Sequence, residues 1–167
     1  MQNADDQTKS HALKSWIRFI LILIVLVFIF RYVINMTIVS GKSMSPTLHD
    51  NDIILTNNMF YELERNDIIV FRDQNGFNVI KRIIALPRDK VEIIDGAVYI
   101  NSEKINENYT TGTSNDLAEI TVDDNSYFVM GDNRSPGASL DSRDQEVGTI
   151  PEEDVTGKML IRLYPIN

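Results

Sequence analysis

A serine placed in a turn is the first residue of this sequence whose setting suits chemistry. Residues 41–48 read Gly-Lys-Ser-Met-Ser-Pro-Thr-Leu. Gly41 lets the backbone turn sharply and Pro46 stiffens the turn that follows, so the Ser43 hydroxyl is exposed beside several backbone amides. This arrangement suits a nucleophile, although serines that only make turns show the same pattern.

A serine nucleophile needs a base, and the composition narrows the choice. The chain has no Cys and two His, which excludes thiol proteases, disulfide scaffolds and Cys-ligated zinc. His49 lies on a polar turn close to Ser43 and has the pattern of a solvated loop residue. A lysine is the other option, and desolvation must lower its ordinary pKa of about 10.4 by about 2 to 3 before it acts near neutrality.

Lys81 fits that requirement best because it lies in an aliphatic segment, residues 77–84. Strand alternation places Lys81 and the adjacent Arg82 on opposite faces, so one of these two cations must face the interior or a cleft. An edge-strand lysine that opposes aggregation explains the pattern equally well.

A third group of polar residues follows the apolar residues 127–130. Gly-Asp-Asn-Arg occupies residues 131–134, and Ser-Leu-Asp-Ser-Arg occupies residues 139–143. Opposite charges at these positions are able to form Asp–Arg pairs that fix a loop, whereas a solvated turn has the same composition.

These residues must be positioned by strands, because no long helical periodicity follows residue 35. Asp95-Gly96 predicts a tight hairpin, and residues 102–125 are polar and turn-rich, which favours a loop or ribbon extension. The fold class predicted is mainly β. Short β-branched runs predict strands at residues 36–39, 52–56, 67–71, 77–86, 90–94, 97–101, 126–130 and 158–164.

The N-terminal region predicts one transmembrane helix. Residues 19–30 are uninterruptedly apolar, and residues 16–34 give the length needed for a hydrocarbon core of about 30 Å, with Trp16 and Tyr32 at the interfaces. A buried soluble helix and a cleavable signal peptide are the alternatives. No Ala-x-Ala-like site follows the segment, which favours an uncleaved anchor.

The net charge of −8 divides unevenly and argues against a general nucleic-acid binder. Residues 1–34 carry four basic and two acidic groups, which leaves 12 basic and 22 acidic groups beyond them. We therefore predict a cytoplasmic tail at residues 1–15, a signal anchor at 16–34, and an extracytoplasmic β-rich domain at 35–167 with an extension around 89–125.

Four stretches together resemble the signature boxes of bacterial type I signal peptidases. They are residues 41–47, 65–71, 81–84 and 131–143. Their order and the anchor agree with the family, so the resemblance covers nearly the whole chain. It implies a signal-peptidase-like β fold with one N-terminal transmembrane helix. It also implies a cell-membrane serine endopeptidase that cleaves signal peptides from exported preproteins after Ala-x-Ala-like sites.

The resemblance also implies roles for individual residues. Ser43 would be the nucleophile and its backbone N–H the oxyanion donor, neutral Lys81 the general base, and Ser139 the hydroxyl that orients the lysine. Arg82, Asp132, Asp141 and Arg143 would form structural ion pairs. The expected partners are secretory preproteins and the lipid bilayer, without a cofactor, metal or nucleic acid. The substrate would bind as an added strand along residues 36–42 and 78–80, with Gly41, Lys42, Met44, Asn78, Val79 and Ile80 as the binding residues.

The sequence departs from the family pattern at several positions. Gly41 stands where some members supply an oxyanion hydroxyl. Four residues separate Arg134 from Ser139 where two are usual, which keeps Ser135 as an alternative to Ser139. Asn66, Ala85 and Arg88 occupy positions where glycine is common or usual. A specialised or self-cleaving Ser-Lys relative and a non-catalytic tethered module are competing hypotheses, and retention of both Ser43 and Lys81 argues against the latter.

Overall fold

The computed structural model describes residues 2–163, with side chains from residue 14 onward. Helix α1 covers Gln2–Phe28 and continues as a π-helical turn over Ile29–Val33. The segment Lys14–Val33 has the length and apolar composition to cross a membrane, and none of its most apolar window is buried within the chain. The alternative of a buried soluble helix is therefore wrong for the described side chains.

Beyond the helix the domain is mainly β, as the sequence predicted, with one short 3-10 turn at Glu152–Asp154. Short β-branched runs form the strands, and turn residues end them. The strands are β1 (Ile34–Ile38), β2 (Ile53–Asn57), β3 (Ile68–Arg72), β4 (Asn78–Ala85), β5 (Lys90–Ile94), β6 (Ala97–Ile100), β7 (Glu103–Lys104), β8 (Leu117–Thr121), β9 (Ser126–Met130), β10 (Ile150–Pro151) and β11 (Val155–Leu163).

Seven strands form the main sheet, in the order β1-β2-β11-β3-β4-β9-β10. Every neighbouring pair is antiparallel. Counting along this order, β4 runs in the same direction as β1, which follows directly from α1. The first residue of β4 therefore lies at the end of the sheet that faces the helix, and its last residue lies at the opposite end.

A second sheet of four strands, β7-β6-β5-β8, follows the far end of β4. The predicted hairpin joins β5 to β6, and positive φ angles of 50° at Asp95 and 76° at Gly96 match the turn that such a pair forms. The region expected to be a loop or ribbon extension contributes β7 and β8 to this sheet. Arg88, in the turn before it, has a φ of 71°, a left-handed conformation that glycine adopts more readily than arginine.

Three clusters of buried side chains fill the β domain. One lies between the end of β4 and the second sheet and includes Ile84, Val91 and Phe128. The other two cover the faces of the main sheet, one around Met44 and Leu48 and the other around Ile69 and Ile83. Because apolar clusters lie against both faces of the main sheet, the polar side chains of β4 must be accommodated inside the protein.

Candidate active site

The turn that carries Ser43 is fixed on both sides. Gly41 has a φ of 90°, which a residue with a side chain adopts only under strain, and its N–H donates to Asp50 Oδ1 at 2.8 Å. After the serine, Met44 and Leu48 are 2% and 0% exposed and anchor the turn in the core. Ser43 itself stays partly exposed at the surface of this anchored turn.

Lys81 reaches this serine from the interior of the sheet. Lys81 is buried, so the alternative of a solvent-exposed edge-strand lysine that opposes aggregation is wrong. The Lys81 side chain is buried, with 4% of the residue exposed, and its Nζ donates a hydrogen bond to Ser43 Oγ at 2.9 Å. The two residues that the sequence singled out are thus in direct contact.

Burial changes the acidity of this amine. Desolvation is the largest influence and lowers the pKa of Lys81 from 10.5 to about 8. The negative charge of Asp141 raises the pKa, the positive charge of Arg143 lowers it, and Asp132 raises it again. An amine in this environment is partly neutral near physiological pH and is therefore able to accept a proton from a hydroxyl.

Residues 131–134 hold the serine turn in place. The Asn133 N–H donates to the Ser43 carbonyl oxygen at 2.9 Å. Gly131 passes so close that an added Cβ would collide with Ser139 Oγ and would lie 2.5 Å from the Ser43 carbonyl oxygen. Close packing, rather than a positive φ, is the reason that glycine is required at this position.

Ser139 lies beside the pair but has another partner. Its hydroxyl donates to Asp141 Oδ2 at 2.6 Å, and in the part of the chain that the structure describes no hydrogen bond joins it to Lys81. Ser139 lines the same cavity as Ser43 and Lys81, whereas Ser135 lines a neighbouring one. An orienting role for Ser139 stays a prediction, and Ser135 is the less suitable of the two.

Two buried ion pairs surround the serine and lysine. Arg82 contacts Asp132 through Nε at 2.9 Å and through Nη2 at 2.6 Å. Arg143 contacts Asp141 through Nε and Nη2, both at 2.8 Å. Asp132 and Asp141 are 0% and 1% exposed, so each carboxylate depends on its arginine for compensation.

A further group of residues supports the segment 131–134, and no sequence pattern predicted it. Arg134 makes two hydrogen bonds to the Glu107 carboxylate, at 2.8 and 2.5 Å, and the Tyr109 ring lies 4.1 Å from the Arg82 guanidinium carbon. The Thr111 N–H donates to the Asp132 carbonyl, and the Arg134 N–H donates to the Thr111 carbonyl. These residues come from a polar segment whose local pattern indicates only a loop.

A cavity of about 300 Å³, here called the central cavity, opens beside the Ser43–Lys81 pair. Its lining includes Gly41, Lys42, Ser43, Val79, Lys81 and Ser139. Asn78 is exposed at the start of β4, whereas the side chains of Met44 and Ile80 lie in the core around Leu48. The side chains of Met44 and Ile80 therefore belong to the core, and their predicted contact with a substrate stays a prediction.

The other candidate base lies elsewhere. The His49 imidazole faces the Arg162 guanidinium, with Nδ1 3.0 Å from its Nη2, and lies 3.8 Å from Asp52 Oδ2. Within the described residues it makes no hydrogen bond to Ser43. His49 is exposed, as its polar turn predicted.

Comparison with known proteins agrees with the fold. The sequence profile described as "Signal peptidase, peptidase S26" matches residues 13–164, which is most of the chain. The chain therefore belongs to the signal peptidase family, peptidase S26.

Individual relatives narrow this assignment. Signal peptidase I of Bacillus licheniformis is 32% identical over 183 aligned residues, which cover 100% of this chain and 97% of the relative. Signal peptidase I S of Bacillus subtilis (strain 168) is 33% identical over 182 residues, with 98% and 96% covered. A crystal structure of a signal peptidase I from Enterococcus faecalis V583 matches with a TM-score of 0.53 and 30% identity, and covers 60% of this chain and 99% of that chain. Within the family, the relatives of this chain are the bacterial type I signal peptidases.

Proposed function

We propose that this protein is a membrane-anchored endopeptidase that removes signal peptides from exported preproteins, with Ser43 as nucleophile and Lys81 as general base. The observation that carries this proposal is the 2.9 Å hydrogen bond between Lys81 Nζ and Ser43 Oγ, made by a buried amine. A hydroxyl and an amine at this distance are within reach of direct proton transfer.

The reaction follows from the geometry of the pair. Neutral Lys81 accepts the Ser43 proton while Oγ forms a bond to the scissile carbonyl carbon. The resulting ammonium then donates that proton to the leaving amine as the peptide bond breaks, which leaves an acyl-enzyme on Ser43. Water, deprotonated by the same lysine, hydrolyses the ester and restores both residues.

The Ser43 N–H is the candidate donor for the oxyanion. In the described part of the chain it has no hydrogen-bond acceptor, so it is available for a substrate oxygen. Gly41 supplies no hydroxyl, and loss of one oxyanion donor from a protease costs about 10² to 10³ in rate. The proposal therefore requires either a second oxyanion donor that is formed when substrate binds or a stronger contribution from the Ser43 N–H.

A free strand edge supports binding of the substrate in extended form. β9 pairs with β4 only from Arg82 onward, so the β9-facing edge of residues 78–81 has no strand partner among the described residues. The segment 40–42 and Val79 both line the central cavity. A peptide between them would gain main-chain hydrogen bonds, and small side chains such as Ala before the scissile bond would suit the narrow space.

The helix supplies the membrane anchor in this proposal. Lys14 and Arg18 flank one end of the apolar segment and Arg31 the other, so the charge bias that favours a cytoplasmic N-terminus is slight. With that orientation the catalytic domain is extracytoplasmic, where preproteins emerge with their signal peptides still in the bilayer.

The proposal is tested with the full chain purified in detergent and a preprotein carrying an Ala-x-Ala site. We expect cleavage by the unsubstituted protein and none by Ser43→Ala or Lys81→Ala, with cooperative thermal unfolding in both variants to show that they are folded. Ser102→Ala and Lys90→Ala are matched controls, since both residues are exposed and outside the site, and both should cleave normally. Cleavage that persists in Lys81→Ala would exclude the lysine as the base.

A further inference from the structure

A second cavity adjoins the central cavity. It has a volume of about 270 Å³ and is here called the distal cavity. The two cavities share Ser139 and Leu140 in their linings. One wall of the distal cavity is the segment 135–137, part of the four residues between Arg134 and Ser139 where the family usually has two. The other wall is Asn115–Leu117, at the start of β8.

The direction of the sheet indicates which half of a substrate would reach the distal cavity. β4 runs in the same direction as β1, and β1 begins where the anchor helix ends. The second sheet follows the far end of β4, and residues 115–117 lead into its strand β8. The distal cavity therefore lies on the side of the Ser43–Lys81 pair that is remote from the anchor.

A signal peptide reaches the pair from the side of the anchor, since its own apolar segment lies in the bilayer beside α1. The residues before the scissile bond then lie along segment 39–42 and the start of β4. The residues after the bond continue past Lys81, across Ser139 and Leu140. We infer that the distal cavity binds the first residues of the mature protein and favours a basic side chain there, an inference that rests on the proposed function.

The charges of the distal cavity support the preference for a basic side chain. Asp116 and Asp144 are exposed carboxylates, and among the described residues neither forms an ion pair. Arg143, the one cation in the lining, is already bound to Asp141, to Ser114 Oγ at 3.0 Å and to the Arg134 carbonyl at 3.0 Å. A lysine or arginine of the substrate meets two uncompensated negative charges, and a glutamate is repelled by them.

The test compares peptides that are identical except for Lys, Gln or Glu at one of the first three positions after the cut. At low salt we expect kcat/KM to be about tenfold higher for Lys than for Glu at one position, and the ratio to shrink with added salt. Asp116→Asn combined with Asp144→Asn should bring the ratio close to one. Glu153→Gln removes one exposed charge from a surface that shares no residue with either cavity and should leave the ratio unchanged.

The possible results distinguish failure of the proposed subsite from failure of the proposed function. Equal cleavage of Lys and Glu peptides by the unsubstituted protein would overturn the subsite and leave the proposed function standing. The same conclusion follows if the preference survives the double substitution and disappears in Asp73→Asn with Glu146→Gln. Both of these residues line the cavity near the β3–β4 hairpin, and Asp73 also lines the central cavity. Failure to cleave any of the peptides would overturn the proposed function and this inference together.

Discussion

The acid side of the pH–rate profile should report the protonation of Lys81. A lysine base acts only when neutral, so kcat/KM should rise with pH and reach a plateau above the pKa of the free enzyme's lysine. Desolvation lowers that pKa from 10.5 to about 8 in this structure. We therefore expect an acid limb of unit slope with its midpoint near pH 8.

The size of the effect follows from the two pKa values. At pH 7 an amine with a pKa of about 8 is about one-tenth neutral, whereas an amine at 10.5 is neutral in about one molecule in 3,000. Burial thus increases the neutral fraction by a factor of about 300, equivalent to about 3 kcal/mol. Asp141 opposes this effect because its negative charge raises the pKa of Lys81. Asp141→Asn should therefore move the acid limb to lower pH.

The assay measures kcat/KM between about pH 5.5 and 9.5 with a peptide that has no group titrating in that range. Circular dichroism at each pH separates loss of activity from loss of structure. Asp124→Asn is the matched control, because this carboxylate pairs with Arg88 away from the site and should leave the limb in place. A midpoint near 10, or activity independent of pH between about 6 and 9, would refute a buried lysine base.

Two further substitutions test the packing and burial around the pair. Gly131→Ala should lower the free energy of unfolding by about 1 to 3 kcal/mol and suppress cleavage, because the added Cβ displaces Ser139 or the Ser43 carbonyl. Chemical denaturation measures this free energy, and a value equal to that of the unsubstituted protein would contradict the contact. Lys81→Met should be inactive yet more stable than the unsubstituted protein at about pH 6, by about 1 to 3 kcal/mol, because it removes a buried charge. The unfolded chain binds more protons than the folded one between pH 8 and 10.5, so this advantage should diminish as pH rises through that window, and an unstable Lys81→Met would contradict it.

Local patterns were sufficient for most strands and insufficient for the shortest ones. β5 and β9 have the predicted bounds, because β-branched runs end there at clear turn signals. β7 and β10 have two residues each, too few for any periodicity, and β10 contains a proline. β8 lies in a polar segment and pairs with β5 across a large separation, so nothing in its own residues indicates the partner.

The residues of the candidate site were also only partly predictable from local patterns. Alternation indicated that Lys81 or Arg82 must be accommodated internally, but the interior position of β4 depends on β9, which comes more than 40 residues later. The family resemblance implied a substrate contact for Met44, whereas its side chain is one of the most buried in the core. Glu107 and Tyr109 could not be found from sequence, because their contacts with Arg134 and Arg82 join segments that are far apart in the chain.

The position of β11 has a consequence for when this protein acquires activity during its own synthesis. This strand, Val155–Leu163, lies between β2 and β3, and Arg162 donates to the Thr47 carbonyl at 2.9 Å and contacts Asp52. Until these residues have been made, β2 and β3 lack their shared neighbour and the turn bearing Ser43 lacks one of its supports. Under the proposed function, a nascent chain would therefore remain inert until β11 has been inserted between β2 and β3.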